Sequence, residues 1–328
     1  MKKFILVLFL VISFLFLSSN QYNIAKVPSE SNWYKGNTHT HSTNSDGDSK
    51  PEKVVQWYMD HGYNFLIISD HNYVTETEPL DTDKTDDFIL ISGEEISSKN
   101  SLHLNALGIK NEIPPASGEN KLEIIQKNVD NTLKAGGIPI INHPNFNWAV
   151  SAQIIKRVKG CNLFELFNGH PGVNNIGGGG FPSTEEMWDD ILTSGKIIYG
   201  IASDDAHSFI GEFSKFRSNP GRGWIYVKSE SLTEKNILNS LNNGNFYAST
   251  GVELENIGID ENKIEIVIKP RSNSLKYNVI FIGEGGKILK ICYDNPAIYD
   301  IKGNEKYIRA KVISSDGTSA WTQPTFLK

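Results

Sequence analysis

The stretch Asn64-Phe65-Leu66-Ile67-Ile68-Ser69-Asp70-His71-Asn72 passes from an apolar run straight into side chains that can bind a metal. Continuous apolarity over so few residues suits a strand buried on both faces. Asn64–Ser69 is therefore predicted as an interior strand, with His71 just past its end. The same pattern recurs at Phe88–Ser92, Leu102–Ile109, Gly137–Asn142, Asn162–Phe167, Lys196–Ala202 and Trp224–Lys228, and Trp33–Asn37 reads as a first strand. Helices are predicted between them. Glu52–His61 follows Ser49 and Pro51, a cap and first-turn pair. Lys121–Ala135 stops at Gly136-Gly137. Ser183 and Glu186 form a capping box that opens Thr184–Thr193, closed by Gly195, and Thr233–Asn243 ends at Gly244. Repeated strand–helix units predict an α/β chain with a parallel sheet or a barrel. After residue 251 the pattern changes. Residues 263–268 mostly alternate, as a half-buried strand does, and Tyr307–Ile313 and Ser319–Thr325 flank the hairpin signal Asp316-Gly317. Residues 252–328 are read as a small antiparallel β domain. Gly177–Gly180, inside 169–182, reads as a mobile loop near the site.

Composition bounds the function. At roughly 150 residues per domain, the 328 residues suggest two domains. With 39% hydrophobic and 21% charged residues, the chain is not disordered, collagen-like or a polytopic membrane protein. Thirty-two basic against 38 acidic residues give a net charge of −6, so there is no global basic field and no stable nucleic-acid partner is expected. Cys161 and Cys292 are too few for a disulfide framework or a cysteine-built zinc site, and are either free or one bridge. Lys2 and Lys3 precede the apolar run Phe4–Leu17, broken by Ser13 and followed by Ser18, Ser19, Asn20 and Gln21. That is the pattern of a secretory signal peptide, assigned to residues 1–25. The run is shorter than the roughly 18–20 residues that comfortably span a bilayer. Membrane association is expected only if this segment stays uncleaved. The product is expected to be exported, extracellular or at the cell surface.

The histidines carry the chemistry. His39-Thr40-His41 places two imidazoles on one side of a strand, where both can reach one metal. His71 follows Ser69-Asp70; Glu94-Glu95 follow Ile89–Gly93; His103 opens Leu104–Ile109; His143 follows Ile140–Asn142; Asp205 and His207 follow Ile198–Ala202. Most of these groups sit at the C-terminal ends of predicted strands, where α/β barrels place their chemistry. Six histidines with several carboxylates share one rationale, a divalent metal site with nitrogen and oxygen ligands. His61, at a helix end before Gly62, is read instead as interacting with the helix dipole.

The set His39-x-His41, Ser45-Asp46-Gly47, Ser69-Asp70-His71-Asn72, Gly93-x-Glu95, His103, His143-Pro144 and Asp205-x-His207 resembles the PHP (polymerase and histidinol phosphatase) metallohydrolases, over about residues 35–250. Phe164-x-Leu166-Phe167-Asn168-Gly169-His170-Pro171, Ala202–His207 and the tail Ala320–Pro324 resemble the CehA/McbA branch, which carries a C-terminal β segment. The resemblance implies a distorted (β/α)7 TIM-like barrel over residues 26–251 and a cluster of two or three divalent metals: zinc, manganese or iron. Carried over by position, it implies that His39 and His41 hold a first metal with Asp205, and that Glu95 bridges metals. Asp46 and His71 serve a second, His103 and His143 a third, and His207 completes the ring. Glu94 competes with Glu95, and Asp204 with Asp205; the Gly-x-Glu and Asp-x-His patterns favour Glu95 and Asp205. His39, His41, Glu95 and Asp205 are the expected catalytic set.

A water held between two divalent metals ionises near neutral pH and serves as a nucleophile. No covalent nucleophile is required, and Ser42 and Ser203 are read as polar support or turn residues. Asp70 either orients a ligand histidine or caps its turn. His170, Arg217 and Arg222 are the candidate substrate-binding residues, a guanidinium suiting a bidentate grip on phosphate. Three functions stay open. The first is a phosphoesterase acting on a small phosphorylated molecule or nucleotide, including a 5′-3′ exonuclease-like activity. The second is a carbamate or carboxylic ester hydrolase on the same metals. The third is a non-catalytic exported metal- or carbohydrate-binding protein. Phosphate-gripping arginines favour the first; an apolar pocket of Phe146, Trp148 and Phe181 favours the second.

Overall fold

A computed structural model describes residues 31–80 and 87–327, so the predicted signal segment lies outside the described residues. Seven strands carry the predicted site residues. β1 (Asn32–Asn37), β2 (Phe65–Ile68) and β3 (Ile89–Ser98) pair in parallel. β4 (Leu102–Leu107) runs antiparallel to both β3 and β5 (Ile138–Ile141). β5, β6 (Leu163–Asn168) and β7 (Tyr199–Ser203) are parallel again. The sheet curls until its two ends meet. The His41 N–H donates to the Ala206 carbonyl and the Asp205 N–H to the His39 carbonyl, each at 2.9 Å. β2 is buried at every position, as its continuous apolarity requires.

β3 runs further than its sequence predicts. Gly93 and two successive carboxylates look like a strand end, yet the ladder to β4 continues to Ser98. Glu94 and Glu95 therefore lie inside a strand and point to opposite faces.

Helices pack on the outside of the curl. α1 (Pro51–Asp60) starts at Pro51, with Lys50 rather than Ser49 at its cap position. α2 (Lys121–Lys134) is capped by Asn120, whose side chain accepts the Glu123 N–H. α3 (Ala152–Arg157) is a short helix the sequence pattern does not single out. α4 (Thr184–Thr193) has the full capping box, and α5 (Glu234–Asn242) is capped by Thr233. Among the described residues no helix is long and apolar enough to cross a membrane.

Beyond β1 the sheet continues through β8 (Trp224–Ser229) and β9 (Phe246–Ser249), both antiparallel. The C-terminal part contributes β10 (Glu253–Ile259), β11 (Lys263–Lys269), β12 (Tyr277–Gly283), β13 (Lys287–Cys292), β14 (Ala297–Asp300), β15 (Tyr307–Ser314), β16 (Ser319–Thr322) and β17 (Thr325–Phe326). β10, β11 and β14 form a separate three-stranded antiparallel sheet. β16 instead pairs with β9, so β16, β15, β12 and β13 extend the main sheet across the change of pattern at residue 252. Gly317, at φ +88°, makes the predicted β15–β16 turn. A second core around Val252, Ile266, Phe281, Tyr299 and Val312 supports this part.

Two polar links tie the parts together. Arg309, 2% exposed, grips Asp189 of α4 through Nε at 2.7 Å and Nη2 at 2.6 Å, and lies over the Trp188 ring. The Gln323 amide exchanges two 2.9 Å hydrogen bonds with the backbone of Gly200. Cys161 and Cys292 are both buried and free.

Candidate metal centre

Backbone ladders set the site. His39, Thr40 and His41 follow β1 and bridge to the Asp205–Ala206 segment after β7. His71 and Glu95 bridge in parallel, with the Glu95 N–H donating to the Asp70 carbonyl at 3.1 Å. The Asn142 N–H, beside His143, donates to the His103 carbonyl at 3.2 Å. Asp205 itself takes a left-handed φ of +49°, a conformation that aspartate tolerates better than most residues. Ser218 Oγ donates to its carbonyl.

The side chains converge on Glu95. Its Oε2 lies 3.4 Å from His39 Nε2 and 3.5 Å from His41 Nε2, and its Oε1 lies 3.1 Å from both His103 Nδ1 and His143 Nε2. Asp205 Oδ1 lies 3.2 Å from the Nε2 atoms of His39 and His41. Asp46, more than half exposed at the mouth, faces His207 Nε2 at 3.3 Å, His71 Nε2 at 3.5 Å and His41 Nδ1 at 3.6 Å. The nine residues fall into four overlapping groups: His41–Asp46–His71–His207, His39–His143–Asp205, His39–His41–Glu95 and His71–Glu95–His103. His103 and His143 share Glu95 Oε1 but belong to different groups.

These donors fit a cation. His39 Nε2, His41 Nε2 and His143 Nδ1 are buried with no hydrogen-bond partner, an arrangement that costs free energy unless something binds them. Ligand bonds of about 2.0–2.2 Å at tetrahedral angles place donor atoms about 3.3–3.6 Å apart. The contacts of His39 and His41 Nε2 with Glu95 and Asp205 are 3.2–3.5 Å long. The charge balance agrees. Burial disfavours a charged His39, yet Asp205, Glu165 and Glu95 raise it well above its ordinary value. Burial likewise opposes ionisation of Glu95 and Asp205, and the surrounding imidazoles, His39 foremost, hold both well below the usual carboxylate range. Burial and the neighbouring His207 bring His41 down to about 4. For His71, burial is overcome by Asp46 and Glu95, which push it up to about 10. The pocket attracts positive charge.

A second layer orients the donors. Glu165, unassigned by the sequence motifs, is the main member. His39 Nδ1 donates to its Oε1 at 2.7 Å and Ser203 Oγ donates to the same oxygen at 2.5 Å. The His143 N–H and Asn168 Nδ2 donate to its Oε2 at 2.7 and 2.8 Å. Asn168 Nδ2 also reaches Asp205 Oδ2 at 3.1 Å. One carboxylate thus fixes His39 with its Nε2 lone pair facing the pocket and braces two further ligands. The available signal was a lone charge inside the apolar run Leu163–Phe167. Ser97 Oγ, 2.5 Å from His71 Nδ1, and Asn142, donating to Glu95 Oε1 at 2.8 Å, were also missed.

The open alternatives separate in space. Glu94 points away from the centre and accepts the Ile113 N–H at 2.6 Å. Asp204 accepts the N–H groups of Gly221, Arg222 and Gly223 and the Tyr58 hydroxyl. Asp70 has no hydrogen bond to an imidazole among the described residues; it accepts the Ser42 N–H and the hydroxyls of Ser42, Ser45 and Thr75, bracing the turn that carries Asp46.

At the mouth, the His170 ring centroid lies 5.6 Å from that of His207. Both arginines are engaged by the protein. Arg222 donates to the carbonyls of Gly169 and Ser214, and Arg217 to Asp48 and the Glu212 carbonyl. Phe146 packs against the rings of His103, His143 and His170, while Trp148 stacks on Phe181 at 4.5 Å. The glycine-rich loop is held at both ends by Asn145, which donates to the carbonyls of Asn174 and Pro182.

No family model and no curated protein matches the chain. Among solved structures it is similar to a two-domain protein from Bacteroides vulgatus containing a predicted PHP-like metal-dependent phosphoesterase, with 17% identity and a TM-score of 0.49, over 88% of this chain and 92% of that one. It is also similar to PsfC from Pseudomonas syringae, with 13% identity and a TM-score of 0.41 over 60% of this chain and 82% of that one. An amidohydrolase from Chromobacterium violaceum, with bound sulfate and no metal, has 13% identity and a TM-score of 0.40 over 56% of this chain and 93% of that one.

Proposed function

We propose that the chain is an exported, PHP-type metallohydrolase of the CehA/McbA branch, with a (β/α)7-like barrel and two or three divalent ions, that hydrolyses phosphate esters. The gathering of nine metal-competent side chains into four overlapping groups, five histidines meeting on Glu95, with buried imidazole nitrogens left unpartnered, carries this reading. His39, His41, Glu95 and Asp205 would hold one ion, Asp46, His71 and His207 another, and His103 and His143 beside Glu95 would serve a third. Bound divalent ions supply Lewis acidity toward the phosphoryl oxygens and lower the pKa of water.

The protein's own groups do the rest. Glu165 holds the His39 proton on Nδ1. The Gly172 N–H donates to His170 Nδ1 at 3.0 Å, so the neutral ring keeps its proton on Nε2 and can offer the leaving oxygen a hydrogen bond, not the proton itself. Burial lowers the His170 pKa and favours that neutral form. In the reaction an oxygen–phosphorus bond forms from water, the phosphorus–oxygen bond to the leaving group breaks, and the proton given up by the water is the one the leaving oxygen takes. Export rests on the basic and apolar N-terminal pattern.

One observation favours the carbamate or carboxylic ester reading: both mouth arginines are engaged by the protein, while the Phe146 ring packs against His103, His143 and His170. The test is metal content together with turnover of 4-nitrophenyl phosphate, 4-nitrophenyl acetate and an aryl carbamate, for the wild type, His39→Ala and Asp205→Ala. Phosphate turnover with two or more metals, lost in both variants, is the expected result. Carbamate or acetate turnover alone selects the second reading. Less than one metal per chain, with no turnover, leaves the non-catalytic binding protein.

A further inference from the structure

A cleft of about 670 Å³ opens between residues 167–175 and 213–222, beside the candidate metal centre. Small-molecule sites occupy about 300–1,000 Å³. The cleft meets the centre at Asn168, which donates to Asp205 Oδ2, and at His170. It is a formed structure. The Ser214 N–H donates to Asn219 Oδ1 at 2.9 Å, Asn219 Nδ2 donates to the Ser208 carbonyl at 2.7 Å, and Arg222 ties Ser214 to the opposite wall. Phe213 packs against Trp57, 6.2 Å between ring centroids, yet stays 43% exposed. Pro171 and Val173 line the facing wall.

Its charge is one-sided. Among the described residues no carboxylate lines the cleft, although the chain carries −6 overall. Arg222 is engaged with two carbonyls. Lys215 has no carboxylate partner among the described residues; its ammonium lies 5.0 Å from the Phe216 ring. A cleft lined by a part-exposed apolar ring, Phe213, and an uncompensated ammonium, Lys215, suits a ligand with a flat apolar body and an anionic end.

We propose that this cleft binds the leaving group of the substrate, and that it selects esters whose leaving group carries a flat apolar part and a negative charge. The proposal rests on the ester-hydrolase reading of the metal centre, and names Phe213 and Lys215 as its specificity residues.

The test uses a matched pair, 4-nitrophenyl phosphate and 3-carboxy-4-nitrophenyl phosphate, whose leaving groups differ by one carboxylate. In parallel, binding of the free phenols to metal-loaded protein is measured by titration calorimetry, which needs no turnover. Wild type is expected to bind the carboxylated phenol more tightly and to favour its ester in kcat/KM. Reversing an exposed charge changes attraction to repulsion, so Lys215→Glu is expected to lower that preference about five- to tenfold, and high salt to erode it. Phe213→Ala weakens binding of both phenols. If neither ester turns over but the phenols show the preference and Lys215→Glu removes it, the hydrolase reading fails and the cleft assignment stands. If the phenols bind alike, bind not at all, or respond equally to Lys215→Glu, the cleft assignment is wrong whatever the turnover.

Discussion

Glu165→Gln removes a charge and keeps the shape, and the structure dictates how the amide must sit. The Oε2 side faces two donors that cannot reverse, the His143 N–H and the Asn168 amide. The glutamine oxygen must take that side, which turns its NH2 toward His39 Nδ1 and Ser203 Oγ. Ser203 can rotate and accept. His39 Nδ1 then has to accept as well, and its proton moves to Nε2, the nitrogen that faces Glu95 and Asp205. The lone pair needed for a metal is blocked. Loss of such supporting partners typically costs 10–100-fold in metal affinity, or about 1.4–2.8 kcal/mol. Cobalt titration followed by visible absorption, with chelator competition, reads both affinity and ligand set. The expected result is weaker binding with an altered spectrum, while thermal unfolding of the metal-free proteins stays similar. Equal affinity and an identical spectrum would refute the tautomer argument.

Burial pushes Glu94 up to about 7, so wild-type stability is fully present below the ordinary value of 4.5 and falls as pH rises from 4.5 to 7. Glu94→Gln, which can still accept the Ile113 N–H, should gain about 2 kcal/mol over wild type at pH 8 and little at pH 4.5; denaturation at the two pH values checks this, and equal differences would refute it. Arg309→Ala strands the buried Asp189 carboxylate and should destabilise by about 3–5 kcal/mol. Asp189→Ala should cost a similar amount and the double variant much less than their sum, so additivity in urea unfolding would show that the pair does not interact.

Most of the candidate ligands were legible because they lie at or just past short apolar strands, and strand ends are local patterns; Asp46, in the turn after His41, is the exception. The spacing singled out Glu95, the carboxylate that faces the candidate centre, even though β3 does not end at Gly93. There the ladder to β4 overrides the local cues, and the alternation of faces separates Glu95 from Glu94. Glu165 was not legible, because a carboxylate inside an apolar strand makes sense only once His39, Ser203 and His143 have been brought to it, and to its strand neighbour Asn168, by three other segments. The engagement of Arg217 by Asp48 and of Arg222 by Gly169 is equally non-local. The helices were read to within a residue or two wherever a cap lay beside an amphipathic run. The pairing of β9 with β16 has no local signature, and the change of pattern at residue 252 gives no hint that one sheet crosses it.

That pairing has a kinetic side. β9 and β16 are separated by about 70 residues of chain, and contacts between such distant segments form slowly because loop closure must precede them. Until residues 319–322 arrive, Phe246–Ser249 is an open, hydrogen-bond-hungry border beside β8. A chain cut after residue 251 would keep every candidate metal ligand and lose the strand that seals this border. Its expected fate is self-association, so residues 319–322 act as the closing stitch of the fold that holds the candidate metal centre.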